Sequence, residues 1–90
     1  MPITYSWTEA RLLHLLRLHQ VSKRAPTARV TSTKLTELFY FGGGSPPQHG
    51  GVIVTNAMRS LADKAIRKRE PFRVKRDEHR RPISFWIEYK

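Results

Sequence analysis

The apolar positions of this chain fall into three helical stretches and then change period. The first stretch covers residues 7 to 21, where Leu12, Leu13, Leu15, Leu16 and Leu18 follow Ser6 and Glu9. Ser6 with Glu9 three positions later has the signature of a capping box: the hydroxyl accepts an amide of the first turn and the carboxylate reaches back to the cap. At the helical period the five leucines cover more than half of the helix circumference, wider than one core-facing stripe. Either the helix is buried on two sides by its own chain, the simpler reading, or part of it meets a second subunit. Leu12, Leu15 and Leu18 are the candidate dimer interface. Residues 22 to 28 read as a basic loop, with Pro26 turning Ala25 away from helix. Arg29-Val30-Thr31 reads as a short strand.

A second helix is expected over 33 to 41, capped by Ser32 or Thr33, with Leu35, Leu38 and Phe39 on one side and Gly42 ending it. The stretch from Gly42 to Gly51 holds no core-forming residue and reads as a flexible linker. A phosphate-loop reading of its glycines fails, because no Gly-Lys-Ser/Thr closes it. The third helix, 52 to 65, has the cleanest pattern in the chain. Val54, Ala57, Met58, Leu61, Ala62 and Ala65 share one face; Thr55, Asn56, Arg59, Ser60, Asp63 and Lys64 cover the other. From Phe72 the period drops to 2. Phe72 and Val74 alternate with Arg73 and Lys75, and after a polar tip Ile83, Phe85, Ile87 and Tyr89 alternate with Ser84, Trp86, Glu88 and Lys90. Two such runs make a β-hairpin with an apolar inner face and a basic tip. Trp86 points away from that inner face, and packing under the first helix is favoured over exposure.

Composition adds a strong charge. The 90 residues include 17 Lys and Arg against 7 Asp and Glu, a net charge of +10. With 39% hydrophobic residues the chain is too apolar for a disordered basic tail, so one small domain over 1–90 is expected. Residues 59 to 81 contain ten basic residues and four acids, and so supply six of the ten net charges. Such an imbalance calls for a polyanionic partner, nucleic acid before a membrane surface. No cysteine is present, which removes disulfides, thiol catalysis and thiolate zinc sites. His14 and His19 are five positions apart on different helix faces and form no metal clamp, no local arrangement favours a catalytic triad, and the acids sit mostly among bases. The expectation is a non-enzyme with no cofactor, no metal and no small-molecule substrate. No run approaches the roughly 18 apolar residues of a membrane span, and no basic segment followed by an apolar one marks a signal peptide, so a cytoplasmic protein is expected.

The order helix, short strand, helix, helix, hairpin resembles the winged-helix variant of the helix-turn-helix fold, an α+β fold with a C-terminal β-hairpin wing. Val54 through Arg69, followed by Asp77 through Arg81, is similar to the recognition helix, helix end and wing of many small bacterial, archaeal and phage transcription regulators. In that family the helix tends to end in a basic residue, a glycine, two apolar residues and further bases. Lys64-Ala65-Ile66-Arg67 is similar, with Ala65 in the glycine position and the single apolar Ile66 before the next base. The chain departs from the family in its ten-residue Gly/Pro connection, where a turn of a few residues is usual.

The resemblance implies a sequence-specific double-stranded DNA-binding protein, a small transcription regulator, and the residue chemistry agrees. A helix fits the major groove, where Arg59 can fork onto guanine and Asn56 onto adenine, flanked by Thr55 and Ser60. Lys64 and Arg67 would meet the backbone. Arg73, Lys75, Arg76, Arg80 and Arg81 would carry the wing along a phosphate strand or into the minor groove, while Lys23, Arg24 and Arg29 grip the opposite flank. Plainer roles stand beside these: Arg59 can pair with Asp63 one turn on, and Asn56 can cap the helix start. A structured-RNA-binding winged helix and a winged-helix protein-interaction module are the alternatives, and a homodimer through the first helix would match a palindromic site.

Overall fold

A computed structural model describes residues 3–22, 24, 28–40, 50–79 and 81–89. The Ser6 backbone N–H donates to Glu9 Oε1 at 2.7 Å, and the Glu9 N–H donates to Ser6 Oγ at 3.2 Å, which closes the capping box. Helix α1 starts from it and spans Trp7–Ser22. Leu12, Leu13 and Leu16 are buried, Leu15 packs on the core from its edge, and Leu18 is about half exposed. The buried leucines are accounted for within one chain, because α1 packs against both later helices and against the sheet. Leu12, expected at a dimer interface, is instead wholly inside the core.

Strand β1, Val30–Thr31, leads directly into α2, Ser32–Phe39. The cap of α2 is Thr31, one residue before the expected Ser32 or Thr33: its Oγ1 accepts from the Lys34 N–H at 3.1 Å. Thr31 can do this because the extended backbone of the strand, with ψ at 155°, is also the backbone that a cap requires. The Tyr40 N–H bonds the Thr36 carbonyl at 3.1 Å beyond the last turn. The expected stop at Gly42 lies outside the described residues, as do positions 43 to 49 of the linker.

Helix α3 spans Gly50–Arg67, two residues longer at each end than the apolar pattern predicts. Gly50 and Gly51, read as linker, belong to its first turn. Val54, Met58, Leu61 and Ala65 are buried along its inner face. The helix ends in a Schellman arrangement. The Glu70 N–H reaches the Ala65 carbonyl at 3.1 Å and the Arg69 N–H the Ile66 carbonyl at 3.0 Å, with Arg69 in the left-handed region at φ 56°. A side chain bearing Cβ is strained there. Arg69→Gly is expected to raise stability by about 0.5–1 kcal/mol, read as a higher midpoint in urea at unchanged m-value.

Strands β2, Phe72–Asp77, and β3, Ser84–Tyr89, complete an antiparallel sheet in the order β1-β3-β2. Val74 faces Ile87, Lys75 faces Trp86, and Val30 of β1 faces Phe85. Phe72, Phe85 and Ile87 are buried against the helices. The opposite face carries Arg73, Lys75, Trp86 and Glu88. Trp86 does not pack under α1: Arg29 covers its ring at 4.3 Å and its Nε1 donates to Glu88 at 3.0 Å. The described residues form an α+β fold of three helices and a three-stranded antiparallel sheet.

β1 is too short to cover the full edge of β3, and a side chain completes the pairing. The Gln20 amide donates to the Ile87 carbonyl at 3.0 Å and accepts from the Ile87 N–H at 3.0 Å, both buried. This fastens α1 to the sheet through two main-chain groups that would otherwise be buried without bonds. Gln20→Ala should cost about 1–2 kcal/mol by removing that bonding, measurable as a fall of roughly 5–10 °C in Tm.

Candidate nucleic-acid interface

Helix α3 turns Thr55, Asn56 and Arg59 to the outside because Val54, Met58 and Leu61 hold the other side in the core. These three residues, with Ser32, Gly51 and Val52, form one wall of a groove of about 410 Å³. Arg81, Pro82 and Ile83, from the turn between β2 and β3, form the other. A second hollow of about 310 Å³ continues beneath, lined by Met58, Arg59, Ala62, Val74, Arg76 and Phe85. Arg59 borders both, and among the described residues neither lining contains an acid.

The three side chains are differently disposed. Arg59 is exposed and has no ion pair among the described residues; Asp63, its candidate neighbour one turn on, is instead 3.7 Å from Arg67. Asn56 lies well inside α3, so it does not cap the helix, and its amide is exposed. The Thr55 hydroxyl donates to the Gly51 carbonyl at 2.8 Å, which leaves its oxygen able to accept.

Ser60 and Lys64 do not join them. Both turn to α1, where Lys64 Nζ is 2.7 Å from Glu9 Oε1 and the Ser60 hydroxyl bonds to the same carboxylate. Burial of the Glu9 carboxyl pushes its pKa up, but bonds from Lys64, the Ser6 backbone, Ser60 and the Ser6 hydroxyl outweigh this and lower it to about 2. Lys64 thus neutralises a buried acid, where a free phosphate contact was expected. Apolar periodicity could not show this, because the two residues are 55 positions apart.

The other expected backbone contacts divide. Arg81 lines the groove, and Arg76 borders the inner hollow while pairing with Glu78 at 3.1 Å. Lys75 and Arg24 are exposed. Arg67 is exposed beside Asp63. Arg73 is half-buried and donates to the Glu70 and Phe72 carbonyls at 3.1 and 2.9 Å, a bracing role at the start of β2. Arg29 does not reach an opposite flank. It lies across the outer face of the sheet, 2.9 Å from Asp77 and stacked on Trp86. Lys23 and Arg80 lie outside the described residues.

Among the described residues no helix is long and apolar enough to cross a membrane. No protein-family model, curated protein or solved structure matches the chain.

Proposed function

We propose that this chain is a winged-helix domain that binds double-stranded DNA with sequence preference and acts as a small transcription regulator by occupying its site. The observation that carries the reading is the groove, lined by no acid among the described residues, in which Thr55, Asn56 and Arg59 of α3 face Arg81 of the β2–β3 turn. The order α1, β1, α2, α3, β2, β3 with sheet order β1-β3-β2 is compatible with a helix-turn-helix followed by a wing.

In this reading α3 enters the major groove. Arg59 donates two bonds to guanine O6 and N7, and Asn56 donates to adenine N7 while accepting from N6. The β2–β3 turn follows the neighbouring backbone or minor groove with Arg81, while Arg76 and Lys75 stand behind it. Phosphate contacts set affinity and register, and the α3 side chains set preference among sequences.

Duplexes selected from a random pool, then measured against scrambled duplex and structured RNA over a range of salt, test the reading. Four or five phosphate contacts give a slope of about −4 in log K against log salt. The expected result is a selected duplex bound at least about a hundredfold more tightly than the scrambled one near 0.15 M salt. Equal binding of all duplexes overturns the regulator reading. Tighter binding of structured RNA moves the function to RNA.

A further inference from the structure

α3 exposes three large apolar side chains, Val52, Ile53 and Ile66. Of these, Val52 borders the groove between α3 and the β2–β3 turn, beside Thr55 and Asn56. It is 59% exposed, and the adjoining Gly51 has nothing within 4 Å of where a Cβ would stand, so the front of the helix is open to a close approach. A β-branched, water-exposed residue gains nothing there from helix propensity or from the core. Its surroundings fit an apolar patch on whatever enters the groove.

We infer that Val52 is a specificity-determining residue that packs on the C5-methyl of a thymine, an assignment that rests on the DNA reading above. The major-groove edges of the four bases offer hydrogen-bond donors and acceptors and one apolar group, the thymine methyl. Val52 and Asn56 are one helical turn apart, about 6 Å along the axis. A helix lying along the groove therefore puts the thymine roughly two base-pair steps from the adenine that Asn56 reads. The preferred site then carries both an Asn56-dependent A·T pair and a Val52-dependent one at that spacing.

Methyl deletion tests this. Each thymine of the selected duplex is replaced in turn by uracil, and affinities are measured for the wild-type chain, Val52→Ala and Val52→Thr. Thr keeps the shape and exchanges one methyl for a hydroxyl; both variants are checked by thermal melting, and an unchanged Tm is expected because the side chain is outside the core. One uracil position should weaken wild-type binding about threefold to fivefold, the worth of one buried methyl. At that position the sensitivity should vanish in Val52→Ala and shrink in Val52→Thr. A selected duplex insensitive to every methyl deletion overturns the Val52 assignment and leaves the DNA reading standing. Sensitivity that persists in Val52→Ala does the same. Failure to obtain any preferred duplex overturns both.

Discussion

Replacing Asn56 and Arg59 together by alanine should lower affinity for the selected duplex by roughly two to three orders of magnitude and leave little difference between selected and scrambled DNA. In the proposed binding mode each side chain makes a bidentate base contact, and such contacts contribute about 1–3 kcal/mol of discrimination apiece. The loss should stop at the non-specific level, where phosphate contacts alone hold the complex. Folding should be unaffected. Both side chains are exposed on α3, Arg59 has no ion pair among the described residues, and alanine is the better helix former. Equilibrium titration with both duplexes, with a melting curve for each variant, separates the effects. By contrast, Arg81→Ala should weaken binding to every duplex and reduce the salt slope by about 1, the signature of a lost phosphate contact.

Lys64→Ala should destabilise the fold by about 2–3 kcal/mol, a drop of some 10–20 °C in Tm, while leaving the salt slope of DNA binding unchanged below the melting range. The variant strands the Glu9 carboxylate, whose side chain is only 4% exposed, without its ammonium partner. The same pair predicts an acid limb. Glu9 titrates near pH 2 in the folded chain against 4.5 ordinarily, so its stabilisation is fully present above about pH 4.5 and is lost as pH falls toward 2. Linkage over that interval sets a ceiling near 3 kcal/mol, and about 2 is expected because water reaches Lys64. Glu9→Gln keeps an acceptor for the Ser6 cap but removes the charge. It should flatten this part of the pH–stability curve, seen in urea unfolding at stepped pH. A Lys64→Ala variant that melts normally but loses a unit of salt slope would return Lys64 to the DNA backbone.

What the amino-acid pattern made legible was local. The Ser6–Glu9 capping box, the buried stripe of α3 and the period-2 run of β3 each follow from a few neighbouring residues obeying one geometric rule. The same rules leave Thr55, Asn56 and Arg59 on the outside of α3, and the fold brings them to one groove with Arg81. What stayed hidden depends on pairs far apart in the chain. Lys64 looks like one more surface base until α1 brings Glu9 to it, and Arg29 looks free until the sheet places Asp77 and Trp86 beside it. Gln20 sits in a helix and gives no local sign that its amide serves the edge of β3. The start of α3 was hidden for another reason. Gly50 and Gly51 are poor helix formers, and the burial of Gly50 and the packing of Val54 behind it outweigh that propensity.

In the proposed binding mode the α3 face and the β2–β3 turn together form the surface that reads duplex DNA. Two-dimensional amide spectra of the chain, titrated with the selected duplex near 0.15 M salt, locate that surface. The largest shifts are expected at Val52, Thr55, Asn56, Arg59, Arg81 and Ile83, with scrambled duplex perturbing the turn but not the outer face of α3. Shifts concentrated instead on the exposed side of α1 around Leu18 and Val21, or identical α3 shifts with both duplexes, would contradict it.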